Sequence, residues 1–144
     1  MSAALLTPLA LAAPAPGLVA AFWVAGVPVP WRPPRVTRGG RHTYTPAHVR
    51  AWQRAVRKAA EVAMGGRRPW RGPVVLTLDF ARRPTLARPA ERWWAQRPDW
   101  VNLAKGAEDA LNRVVFADDC QVVSAHVTKR RGPRDGLTVR VGAL

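Results

Sequence analysis

Across residues 46–64 the apolar side chains Val49, Trp52, Val56, Ala59 or Ala60, and Ala63 recur at helical spacing, while Arg50, Arg54, Arg57 and Lys58 take the other side. The spacing predicts an amphipathic helix with Thr45 as N-cap, Pro46 in its first position and Gly65-Gly66 as its stop. Residues 74–81 follow the other period: Val74, Leu76, Leu78 and Phe80 alternate with Val75, Thr77, Asp79 and Ala81, as in a half-buried strand. Asp79 falls on the less apolar face and reads as a surface residue. A second helix is expected over 102–114, with Leu103, Ala107, Ala110, Leu111 and Val114 inward. Residues 22–27, 121–128 and 137–141 read as three more strands. The order strand, helix, strand, helix, strand, strand predicts an α/β fold: a single compact domain with a mixed β-sheet packed by two main helices.

Between these elements the punctuation is strong. Pro28, Pro30, Pro33 and Pro34 stop the first strand, and the loop that follows carries Arg32, Arg35, Arg38 and Arg41 around Gly39-Gly40. Residues 82–97 form a long, polar, Pro-rich connection with Trp93-Trp94, which either pack against the sheet or stack on unpaired bases. Residues 1–21 are apolar, yet Pro8, Pro14 and Pro16 interrupt them and the first basic residue is Arg32. Neither a secretory signal nor a membrane span is expected there. The segment 1–21 reads as a disordered or loosely packed extension, and 22–144 as the folded domain.

Charge narrows the choice of partner. The 144 residues include 23 Lys and Arg against 9 Asp and Glu, a net charge of +14, which favours nucleic acid over a membrane surface or an acidic protein. Arg32, Arg35, Arg38, Arg41, Arg50, Arg54 and Lys129 are the candidate phosphate contacts. Cys120 is the only cysteine, so no disulfide framework or zinc constellation exists and a reducing cytoplasm fits. His42, His48 and His126 have no metal-like spacing, and no Gly-rich loop joins a strand to a helix, so no nucleotide cofactor is expected.

The scarce acids are not spread evenly. Asp99, Glu108, Asp109, Asp118 and Asp119, five of the nine, fall between positions 99 and 119. Carboxylates hold divalent cations and basic residues hold phosphates, so this clustering suits metal-dependent cleavage of nucleic acid. Each residue also has a plainer reading. Asp99 stands where a helix N-cap belongs, Asp118-Asp119 where an acidic turn belongs, and Lys105 where it would pair with Asp109 or Glu108. A three-turn helix is about 18 Å long, so Asp99 and Asp118-Asp119 meet only if the chain folds back after it.

The run Pro98-Asp99-Trp100-Val101-Asn102-Leu103-Ala104-Lys105, then Asp109-Ala110-Leu111-Asn112, then Asp118-Asp119-Cys120-Gln121-Val122, resembles the signature of the RusA family of Holliday junction resolvases. Val27-Pro28-Val29-Pro30, Arg35, Gly39-Gly40 and Thr43-Tyr44 before a helix resemble the start of the same domain. The resemblance implies a RusA-like domain over 22–144 and a homodimer that uses Mg²⁺, with Mn²⁺ as a substitute, to cut four-way DNA junctions. By position it implies Asp99 and Asp119 as catalytic metal-binding carboxylates, Asp118 as a further metal residue, and Lys105 as the catalytic lysine.

One departure bears on activity. The family pattern is Asp-x-Asp-Asn, and here Val101 stands at the second Asp. Valine offers a metal no oxygen, so the expectation is slow cleavage or none, unless Asp118 or Asp109 replaces the missing ligand. Three readings follow: a junction-resolving endonuclease weakened at Val101, an inactive junction or structured-DNA binder on the same fold, and a general RNA-binding protein.

Overall fold

A computed structural model describes residues 17–144. The first strand, β1 (Gly17–Ala25), begins at Gly17 rather than at residue 22, and a bulge between Leu18 and Ala20 lets both Val19 and Ala20 point into the core. Residues 17–21 of the expected extension therefore belong to the sheet, and 1–16 lie outside the described residues. After β1 come a two-residue pair, β2 (Arg35–Val36) and β3 (Thr43–Tyr44), then helix α1 (Ala47–Met64), β4 (Val74–Arg82), helix α2 (Trp100–Leu111), a single 3₁₀ turn (Asp119–Gln121), β5 (Val122–Arg131) and β6 (Gly136–Ala143).

The sheet runs β1-β6-β4-β5. β6 pairs antiparallel with β1 and with β4, whereas β4 and β5 are parallel, so the sheet is mixed, as the pattern predicted. A parallel pair needs a long crossover, and α2 supplies it. Leu76, Leu78 and Phe80 of β4, Val139 and Val141 of β6, Val56 and Ala60 of α1, and Leu103, Ala107 and Leu111 of α2 share one buried cluster, so both helices lie on the same face of the sheet. Each such Leu, Val or Phe contributes about 1.5–3 kcal/mol by leaving water.

The helix ends differ in detail from the sequence expectation. Pro46, not Thr45, is the N-cap of α1, and no side chain caps it; Gly65 closes it at φ 57°. Helix α2 stops at Leu111 because Arg113 turns left-handed at φ 65°, which sends Val114, Val115 and Phe116 down as a buried plug.

Two connections fix the surroundings of α2. The Pro-rich stretch after β1 lies directly on the helix: the Trp31 N–H donates to the Asn102 carbonyl at 2.8 Å, and a Cβ on Gly106 would stand 3.3 Å from the Trp31 nitrogen. Glycine at 106 is what allows that approach. The long connection before α2 is fastened to β5, where Glu91 accepts from Arg131 at 3.0 Å and from Gln96 at 2.7 Å. Of the two tryptophans in this connection, Trp94 is buried and Trp93 is 53% exposed. Asp79 is not a free surface acid, because Arg130 donates to both its oxygens at 2.8 and 3.0 Å.

Candidate active site

Asp99 is the cap of α2. Its Oδ1 accepts the Asn102 N–H at 2.9 Å and its Oδ2 accepts from the Asn102 side chain at 3.3 Å, so both oxygens serve the first turn. This is the geometry that satisfies free N–H groups at a helix start. The carboxylate also lines a cavity of about 640 Å³ with Trp31, Arg32, Arg97 and Asn102.

Asp118 caps the 3₁₀ turn. It accepts the Cys120 N–H at 3.0 Å, while its own N–H donates to Gln121 Oε1 at 2.8 Å, and Gln121 in turn donates to the Trp70 and Gly72 carbonyls at 2.9 and 2.8 Å. The hydrogen bond from Cys120 holds the Asp118 carboxyl below its ordinary range. This capping box fixes the turn that presents Asp119.

Asp119 enters a groove of about 300 Å³ between α2 and the sheet. Val101, Lys105, Glu108 and Asp109 line the same groove from the helix side, and Leu76, Leu78, Ala125 and Val127 form its floor. The helix residues follow the i, i+4, i+7 and i+8 spacing of one face. Burial, then the charges of Asp119 and Asp109, push the Glu108 carboxyl up from its ordinary value. Lys105 reaches Asp109 Oδ2 at 3.7 Å, and its ammonium lies 5.0 Å over the Trp31 ring.

The structure thus brings Asp119 and Lys105 together with Glu108 and Asp109, and turns Asp99 and Asp118 onto their own caps. Among the described residues no three His, Cys, Asp or Glu side chains are grouped closely enough to hold a metal, so Asp99, Asp118 and Asp119 do not form one ligand triad in the single chain. The reason is the path of the chain. The turn with Asp119 follows the end of α2, and β5 then runs back along the helix, so it is Lys129 at its far end that feels the Asp99 charge.

Lys129 is placed otherwise than as a free phosphate contact. Its ammonium donates to the Gln96 carbonyl at 2.6 Å and to the Pro98 carbonyl, and it lies 4.8 Å over the Trp94 ring. Burial holds its pKa down. It fastens the segment that leads into α2. Arg50 and Arg54 stand with Arg57, Gln53 and Trp31 around a cavity of about 430 Å³, Arg32 stands in the cavity beside Asp99, and Arg35, Arg38 and Arg41 sit exposed on the β2–β3 loop or its flanks.

In the sequence Glu108 stands out only as one of the five clustered acids and as a partner for Lys105, and nothing there singles out Arg97 or Trp31. For Glu108 a signal existed, since it falls seven positions after Val101 on one helical face. For Arg97 and Trp31 there was none, because their contacts come from chain packing.

The sequence profile of the family Endodeoxyribonuclease RusA matches residues 25–142, nearly the whole described domain. The chain belongs to the RusA endodeoxyribonuclease family. No curated protein matches it. RusA proteins are DNA endonucleases of the Holliday junction resolvase class, they act on branched DNA, and such nucleases are in general dependent on a divalent metal. Among the described residues, no helix is long and apolar enough to cross a membrane.

Proposed function

We propose that this RusA chain is a structure-specific endodeoxyribonuclease that resolves four-way DNA junctions in recombination and repair, using Mg²⁺, or Mn²⁺ in its place, at a rate lowered by Val101. The observation that carries this is the groove in which Asp119, Glu108 and Lys105 face the position of Val101, on a protein of net charge +14.

The donor chemistry suits the ion. Mg²⁺ takes hard oxygens and is commonly held by one or two carboxylates together with substrate phosphate and water. Asp119 and Glu108 are the carboxylates that would hold it, and their mutual repulsion is what a cation relieves. Once bound, the ion supplies Lewis-acid polarisation of the phosphate and a more acidic water. Lys105, steadied by Asp109 and Trp31, neutralises negative charge on the phosphate under attack. Asp99 and Asp118, read from the resemblance as metal residues, act here through their caps: Asp99 sets the first turn of α2, and Asp118 aims Asp119. Arg32, Arg50 and Arg54 hold flanking phosphates. Two opposed strands require two sites, so the working form is a homodimer, and the lone Cys120 suits a cytoplasmic protein.

Val101, 53% exposed in this groove, also favours a second reading: a junction binder without cleavage. A nicking assay on a synthetic four-way junction with Mg²⁺ and with Mn²⁺ separates the two. Wild type is expected to cut slowly, and Val101→Asp to gain about tenfold or more, equal to ~1.4 kcal/mol of transition-state stabilisation. No cutting by either protein, with the junction still bound in preference to duplex, establishes the binder. A fast wild type that the substitution leaves unchanged refutes the role given to Val101.

A further inference from the structure

Most of the acids outside α2 and its following turn are spent on arginines. Asp79 pairs with Arg130, Glu91 with Arg131 and Arg88, Asp135 with Arg82 and Arg83, and Glu61 with Arg57. No ion pair among the described residues engages Arg32, Arg50, Arg54 or Arg97. These four guanidinium groups therefore carry uncompensated charge in the two cavities beside α2.

They are divided between two cavities. Arg50 and Arg54, with Arg57, line one; Arg32 and Arg97 line the other, beside Asp99. Trp31 is the one residue common to both linings. Its position is fixed on two sides, by the bond from its N–H to the Asn102 carbonyl at 2.8 Å and by the Lys105 ammonium 5.0 Å over its ring. Gly106 brings it that close to the helix. A fixed indole thus stands between two cavities, each lined by two guanidinium groups free of ion pairs and by one carboxylate, Asp109 in the first and Asp99 in the second.

We propose that Trp31 separates two DNA strands: one backbone follows Arg50 and Arg54, a second meets Arg32 and Arg97, and the indole occupies the point where the strands part. This rests on the junction reading given above and adds the source of branch preference. Two tracks kept apart by an aromatic wall accept diverging strands, whereas a continuous duplex can engage only one track at a time, so the wall penalises the wrong substrate as well as fitting the right one. Arginine forks suit phosphate oxygens, and an indole can face a base exposed at the branch.

The test is binding without cleavage. Labelled four-way junction and linear duplex of the same arms are titrated by fluorescence anisotropy in EDTA at several salt concentrations, against wild type, Trp31→Ala, Trp31→Phe, Arg54→Ala and Arg97→Ala. Wild type is expected to prefer the junction by about tenfold or more, and Trp31→Ala to bring the ratio to about one, with Trp31→Phe retaining most of the preference. Arg54→Ala and Arg97→Ala should each lower the salt slope on the junction by about 0.9, while only one of them lowers it on the duplex. Trp31→Ala with its junction preference intact, or the two arginine variants acting alike on duplex, overturns the proposal alone. A wild type without branch preference overturns the junction reading along with it. Thermal unfolding of each variant checks that it is folded, and Trp31→Phe and Arg97→Ala carry the test should Trp31→Ala fail to fold.

Discussion

Glu91 shows how much one side chain can govern. Its carboxylate accepts from the Gln96 amide and from Arg131, and those two donors, with the Gln96 bond foremost, hold its pKa below the ordinary 4.5. A carboxyl whose folded-state pKa is depressed adds stability above its unfolded value and loses it as pH falls through the depressed one. Glu91→Gln is therefore expected to melt below wild type at pH 7, with the gap closing as pH is lowered past 4.5; equal melting temperatures at neutral pH would contradict this. At this scale the sequence was informative where a residue acts alone. Val101 stands out at once as a missing carboxylate, and it does sit in the groove with Asp119. It was misleading where a residue's partner is distant in the chain: Lys129 is read as a phosphate contact on charge alone, but its ammonium is committed to two carbonyls that no periodicity reveals.

Among the elements, α2 carries most of the chemistry, and substitution of its N-cap, Asp99, separates capping from charge. Asn caps a helix about as well as Asp does, whereas Ala costs about 1 kcal/mol, within a range of 0.5–2. Asp99→Asn is therefore expected to unfold in urea at nearly the wild-type midpoint and Asp99→Ala at a clearly lower one. If cleavage nonetheless falls with Asp99→Asn, the charge of Asp99 matters beyond the cap. Helices and strands were legible because each has one dominant apolar face: α1, β4 and β6 lie where Val56, Leu78 and Val139 point inward. Element ends were less so. The stop of α2 depends on the left-handed Arg113, β1 on a bulge at Leu18 and Ala20, and the β2–β3 pair on four residues with no apolar pattern.

For the whole molecule the decisive quantity is the imbalance of 23 basic to 9 acidic residues and the way pairing distributes it. If about six phosphates are neutralised, log K should fall against log salt with a slope near −5 on duplex DNA. A slope shallower than about −2 would mean that the unpaired arginines are not the binding surface. The sequence disclosed the excess of charge but not its distribution, because that depends on which arginines Asp79, Glu91 and Asp135 neutralise. The same fastening has a result at the rim of the sheet. β5 is an outer strand, and over Lys129, Arg130 and Arg131 its outer side is occupied by Arg92, Trp93 and Trp94. Among the described residues, the first part of the strand, up to Thr128, still offers backbone donors and acceptors outward, about 20 Å of ladder at 3.3 Å per residue. A visiting strand that extended the sheet there would run out of partners at Lys129, so this border admits a short guest in a limited set of registers and resists indefinite stacking.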